Sequence, residues 1–421
     1  MNPPISVSVS KFATTLALVW LLIAGAQART WTSADGAKTF EGELRSYDPA
    51  TGKVAVTLSD GRQAVIQQDK LSADDHAFLK ENATKPVAAT SAKNSANDNV
   101  GTDPKNLFKK HDGKAADMSK PVQIFIMLGQ SNMVGMGNIA TLEAAVKTKG
   151  KYPYLVDDAG AWTQRKDVRN VFMMSLKLQH NDWLSVANRK NVGLEHGIGH
   201  CLGNAIDAPV MILKSCIGNR SLGWDLLPPG SEPYEFEGKM NPGYRGTPEN
   251  PKGNGEKVVG AWYAGKQYDD DVEGAKQVLA DLNTYYPDAK KFEVTGFFFW
   301  QGEKDGGNAA HAANYEKNLA RFIKALRKDF NSQNAKFVLG TLGEAVKGSG
   351  GNGGSVLNAQ LAVDGTSGKY SDFKGNVATV YTNPLSLGGS GNAHYGGNAE
   401  TYMNVAEAMG KAMVDLLKAG K

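Results

Sequence analysis

Four short segments of this chain carry side chains and turn amides of the types that make and break an acyl bond. Ser131 lies in Gly129-Gln130-Ser131-Asn132-Met133, and His394 in Asn392-Ala393-His394-Tyr395. A serine hydroxyl is a poor nucleophile until a base removes its proton, and histidine is the side chain whose unperturbed pKa suits that task near neutrality. A tetrahedral intermediate also needs donors aimed at its oxyanion, which backbone N–H groups in tight turns and a side-chain amide supply. The candidates are the N–H groups of Ser131 and Gly218 and the side chain of Gln301, with Gln130 and Asn219 beside them as substrate contacts. Taken alone, Ser131 reads first as the cap of a first helix, and only the other blocks make it a nucleophile. The strained G-x-S-x-G elbow does not apply, because position 133 is methionine.

The elements that must position these residues follow from the hydrophobic pattern. From Pro121 onward, short apolar runs at 123–128, 209–213, 294–299, 336–340 and 377–381 alternate with amphipathic stretches. The runs predict five strands. Within 269–285 the apolar stripe is Val272, Ala275, Val278, Leu279 and Leu282, and within 312–330 it is Tyr315, Leu319, Phe322, Ile323 and Leu326. A last helix over about 399–417 places Met403, Met409 and Met413 on one face, a pattern that belongs to a core. Strands alternating with helices predict a three-layer α/β domain on a five-stranded parallel sheet. In such a sheet, ligands collect beyond the carboxyl ends of the strands. The loops there carry Ser131, the Gly218–Leu222 turn, Trp300-Gln301-Gly302-Glu303 and His394.

These blocks together resemble the SGNH hydrolase superfamily, in its branch of carbohydrate acetylesterases and sialate O-acetylesterase-like proteins. Residues 129–133 match the Gly-Gln-Ser-Asn-Met nucleophile block, 300–303 the Trp-Gln-Gly-Glu block and 218–222 a Gly-x-x-Ser-Leu turn. The similarity runs from about residue 121 to the C-terminus. It implies a flavodoxin-like domain that hydrolyses acetyl esters on sugars through a serine acyl-enzyme, without cofactor or metal. The family often places an aspartate three residues before the histidine, and this chain has Gly391 there. Glu303 is the first candidate for the missing acid and Asp305 the second; an amide or carbonyl such as that of Asn392 is the third.

Rival readings remain on the same residues. A non-catalytic carbohydrate-binding protein would use the same cleft. His196 and His200 stand four apart, a spacing that can place two metal ligands on one helix face, although the intervening glycines weaken such a helix. The long Gly- and Pro-rich segment from Trp224 to Tyr268 carries Trp224 and Trp262, which either offer faces to a sugar ring or pack the segment down.

The remainder of the chain concerns export and accessory structure. Lys11, the apolar run from Phe12 to Ala26 and Ala26-Gln27-Ala28 are built as a signal peptide spanning 1–28. The alternative is a retained anchor, for which the apolar run is short. Export to periplasm, cell surface or medium is expected, with no membrane association after cleavage. Residues 29–81 alternate as strands, close with a short helix capped by Ser72, and resemble a small SH3-like barrel of the Sla homology type. That unit would bind a surface polymer or act as a spacer. Residues 82–120 lack apolar periodicity and are expected to be a disordered linker. Forty-seven basic against 43 acidic residues leave a charge of +4, which excludes a dedicated nucleic-acid binder. Cys201 and Cys216, the only cysteines, either pair or stay as buried thiols.

Overall fold

In a computed structural model the described residues are 21–22, 29–49, 52–58, 63–84, 106–287, 289 and 291–419. Most of the signal segment, residues 59–62 and residues 85–105 of the expected linker lie outside them. The chain divides into two units, Met1–Ala92 and Lys93–Lys421.

In the first unit, Arg29–Thr32, Thr39–Asp48, Lys53–Leu58 and Gln63–Gln67 form an antiparallel sheet, with Leu21–Leu22 paired to Ser46 and Tyr47. Alternation puts Val54 and Val56 inward with Trp31, Leu44 and Leu79. The helix Ala73–Thr84 starts as its sequence predicts, with the Asp75 N–H donating to Ser72 Oγ at 3.2 Å.

The second unit is built on seven strands: β1 (Val122–Gly129), β2 (Arg165–Met174), β3 (Lys177–Leu184), β4 (Val210–Ser215), β5 (Phe292–Trp300), β6 (Lys336–Gly340) and β7 (Val377–Val380). Their order across the sheet is β7-β6-β5-β1-β4-β2-β3, parallel except for the β2–β3 hairpin. The five expected strands are all present, and the count of five is corrected to seven. The hairpin escaped detection because Arg165, Lys166, Asp167 and Arg169 break up β2, while β3 at the sheet edge carries Gln179, His180, Asn181 and Asp182. Charged edge strands show no apolar run.

Both faces are covered. Ile124, Ile126 and Leu128 of β1 pack with helices α2 (Lys266–Ala280), α3 (Ala309–Asp329) and α4 (Gly351–Ala362), while Phe125 and Met127 pack on the other face with α1 (Leu194–Ala205) and α5 (Ala399–Ala419). Met403, Met409 and Met413 are wholly buried, as a core stripe should be. Among the described residues no helix is long and apolar enough to cross a membrane.

The expected linker ends earlier than residue 120. Leu107 is buried in the second unit, Phe108 lies 5.4 Å from the Tyr154 ring, and Asn204 Nδ2 donates to the carbonyls of Leu107 and Lys109. Two apolar residues are too few to show a period, although each large apolar side chain contributes roughly 1.5–3 kcal/mol when buried. Cys201 and Cys216 are both free and buried.

Candidate active site

Chain order reverses at β1, which lies between β4 and β5, so the loops after these three strands open onto one crevice. A cleft of about 830 Å³ occupies it. Its walls include Gln130, Ser131, Gly218, Asn219, Glu303, Asn392 and His394. The sheet thus gathers residues more than 260 positions apart in sequence.

The nucleophile candidate is set by an abrupt turn. Gly129 ends β1 at φ +151°, and a Cβ there would lie 2.3 Å from the Trp300 carbonyl oxygen. Only glycine permits that approach. Ser131 then opens the short helix Ser131–Val134. Gly218 packs against it, since a Cβ on Gly218 would stand 3.4 Å from Ser131 Cβ. Among the described residues, no hydrogen bond uses the N–H of Ser131 or of Gly218. Two N–H groups without a partner therefore lie where these two turns meet, donors of the kind an oxyanion needs.

Beneath the short helix, Lys214 at the end of β4 is buried, and its Nζ donates to the Val134 carbonyl at 2.7 Å and pairs with Glu195 at 3.0 Å. Burial pushes the Glu195 carboxyl up, but Lys214 and then His196 outweigh it and hold the group at about 2. Helix α1 thus uses Glu195 to support the serine turn. His196 bonds the Ser185 carbonyl at 3.2 Å, and the His200 ring lies 5.1 Å from the Tyr154 ring, tilted by 53°. Among the described residues, no three histidine, cysteine, aspartate or glutamate side chains are grouped to hold a metal ion.

Behind Ser131 lies a buried polar layer. Glu303 accepts from Gln130 Nε2 and from Asn132 Nδ2, each at 2.6 Å. Asn132 Nδ2 also donates to the Gly391 carbonyl at 3.1 Å, and its Oδ1 accepts from the Tyr402 hydroxyl. The serine helix and the histidine turn are thereby tied through one amide. Burial, with Glu344 adding to it, pushes the Glu303 carboxyl up to about 7. Glu303 therefore reaches the cleft, but both its oxygens are held by amides next to the serine and neither bonds His394. His394 stands at φ +53° in the turn 391–397, and the next residue, Tyr395, stacks on Trp300 at 5.7 Å and 9°. No hydrogen bond joins Ser131 to His394 among the described residues.

The expectation for Gln301 is corrected. Its side chain is 1% exposed and is absent from the cleft wall, with Nε2 donating to the Arg220 carbonyl at 2.9 Å and to Asp305 at 2.6 Å, while Oε1 accepts from Tyr315. Asp305, the second acid candidate, faces the turn at 221–223 rather than His394. It accepts from the N–H groups of Leu222 and Gly223, each at 2.8 Å, and burial pushes its carboxyl up to about 6. Gln301 and Asp305 therefore act as a buried clamp on residues 220–223. Tight turns fix residue types in sequence but not which side of the strand end they face.

Trp224 and Trp262 do not line the cleft either. Trp262 is 37% exposed, with the Arg220 guanidinium 4.4 Å over its ring, and Tyr244 and Tyr263 pack the segment down by bonding Asp269. In their place the far wall is made by Lys304, Asn308 and His311, which carry no sequence mark beyond proximity to Glu303. Burial lowers the pKa of His311, whose Nδ1 lies 4.0 Å from Asp305.

Comparison with known proteins agrees with the resemblance read from the motifs. Residues 252–415 match the family model described as carbohydrate esterase, sialic acid-specific acetylesterase. That stretch holds the Trp-Gln-Gly-Glu block and His394. Among solved structures, a protein from Arabidopsis thaliana is 18% identical at a TM-score of 0.41, with 69% of this chain and 98% of that one covered. A carbohydrate acetylesterase from Xanthomonas citri is 12% identical at 0.40, with 69% and 55% covered. NanS is 14% identical at 0.36, with 64% and 79% covered. No curated protein matches the chain.

Proposed function

We propose that the chain carrying this carbohydrate-esterase segment is an exported serine esterase that removes O-acetyl groups from carbohydrate. The observation that carries the reading is the juxtaposition in one cleft of Ser131, the unengaged N–H groups of Ser131 and Gly218, and His394. In the first step Ser131 Oγ attacks the ester carbonyl carbon while His394 takes its proton. The carbonyl oxygen, now an anion, sits on the two N–H groups. Collapse expels the sugar oxygen, which receives the proton from His394, and leaves an acetyl-serine. Water, deprotonated by His394, then attacks the acetyl carbon, and as the intermediate collapses His394 passes that proton to Ser131 Oγ, which leaves as the hydroxyl while acetate is released.

Gln130 and Asn219, both on the cleft wall, contact substrate, and the polar residues Lys304, Asn308 and His311 face the hydroxyl-bearing leaving group. The domain is read as the flavodoxin-like SGNH fold. Export follows from the signal peptide over 1–28, and residues 29–81 form a small SH3-like barrel that binds a surface polymer. Incubation of the full chain with a fluorophosphonate, followed by peptide mass spectrometry, tests the mechanism. Phosphonylation of Ser131 that is lost in His394→Ala supports it; labelling at another residue, or labelling indifferent to His394, refutes it.

A further inference from the structure

We propose that Glu344 supplies, from a different loop, the carboxylate that this chain lacks at position 391, and so acts as a positioning residue for His394; the proposal rests on the Ser131–His394 reading above. Gly391 stands three residues before the histidine. A Cβ built on it would lie 2.5 Å from Glu344 Oε2 and 2.9 Å from Glu303 Oε1. Within any aspartate, standard bond lengths put Cβ and Oδ about 2.4 Å apart. The Glu344 oxygen therefore sits at the reach of the carboxylate that an aspartate at 391 would carry. It arrives from the loop after β6, 47 residues earlier, and accepts the Gly391 N–H at 3.0 Å.

Each Glu303 oxygen already accepts a side-chain amide, one from Gln130 and one from Asn132, and neither bonds His394. Glu344 is exposed, and among the described residues only the Gly391 N–H bonds its carboxylate. The other oxygen accepts no hydrogen bond, and because His394 and Glu344 form no ion pair in this structure, the imidazole must turn to place its Nδ1 proton there. The turn is anchored on both sides of His394. Gly391 is held at its N–H by Glu344 and at its carbonyl by Asn132, and Tyr395 is held by its stack on Trp300. With Nδ1–H donated to Glu344, Nε2 is the nitrogen that takes the Ser131 proton, and the imidazolium formed faces an anion. The other titratable groups facing Glu344 are Glu303 and the Tyr395 phenol.

The test compares full-length wild type with Glu344→Gln, Glu344→Ala and the exchange Glu344→Ala/Gly391→Asp, using p-nitrophenyl acetate across pH and fluorophosphonate labelling of Ser131. Glu344→Gln is expected to lower kcat by roughly 10²- to 10⁴-fold with KM changed little. Loss of the anion makes the imidazole harder to protonate, so the acid limb of kcat/KM should move to lower pH. The exchange should restore kcat at least about tenfold over Glu344→Ala, because the carboxylate returns on the histidine's own turn. Thermal unfolding of each variant checks the fold, and the isosteric Glu344→Gln carries the test should Glu344→Ala not fold. The proposal is overturned if Glu344→Gln keeps kcat within about twofold of wild type, or if kcat falls with neither a shifted acid limb nor rescue by the exchange. Absence of Ser131 labelling in wild type would instead strike the esterase reading itself.

Discussion

Replacing Glu303 by glutamine should flatten the pH dependence of stability, and the size of the effect follows from the carboxyl's surroundings. Glu303 is 4% exposed and is pushed up to about 7 from an ordinary 4.5. At about 1.4 kcal/mol per unit, that difference is worth roughly 3 kcal/mol. The folded-state value is the higher one, so the stability this group contributes is complete below about pH 4.5 and is lost as pH rises through about 7. Glu303→Gln titrates in neither state and loses nothing over that window. It does present an amide N–H to Gln130 or Asn132, at a pH-independent cost of about 1–3 kcal/mol. The measurement is urea unfolding of both proteins at intervals from pH 4.5 to 8, with the difference in unfolding free energy plotted against pH. That difference should change by about 3 kcal/mol in favour of the variant as pH rises. A difference that stays flat within about 1 kcal/mol would show that Glu303 is not held in a charge-averse pocket.

Asp305→Asn should loosen the turn that carries the proposed oxyanion donor Gly218, because an amide nitrogen would face one of the two N–H groups, of Leu222 and Gly223, that the carboxylate now accepts. A fall in kcat of about 10- to 100-fold with KM little changed is expected by steady-state kinetics; retention of kcat would show that the clamp is dispensable. Lys214→Met should strand the buried Glu195 and cost about 3–5 kcal/mol in denaturant unfolding. Adding Glu195→Gln should recover most of that loss, as coupled partners do. The Lys214 pair also holds Glu195 at about 2, so its contribution is present above pH 4.5 and fades as pH falls toward 2. Acid unfolding of Lys214→Met should lack that component.

Much of this architecture was legible because apolar strands and helix stripes follow simple periods. The runs at 123–128 and 294–299 are central strands buried on both faces, so they read as continuous hydrophobic segments. In the β2–β3 hairpin the buried Arg165–Asp167 pair and the polar edge residues 179–182 interrupt the apolar pattern, so it left no such trace. At the site, residue types at strand ends located Ser131, Gly218, Glu303 and His394 on one cleft, because strand order alone brings those loops together. Side-chain direction was not legible. Gln301 follows β5 as directly as the motif suggests, yet it turns inward to Asp305 and Arg220. Glu344 was invisible for a different reason: its partner Gly391 has no side chain to mark the contact, and the two meet only across β6 and the histidine turn.

The most direct test of the central claim is acetate release from an acetylated sugar by wild type and Ser131→Ala, each with and without a metal chelator. Wild type should release acetate equally in both conditions, and Ser131→Ala should lose nearly all activity while keeping its unfolding temperature. Release that survives Ser131→Ala, or that disappears with chelator in wild type, would contradict the account.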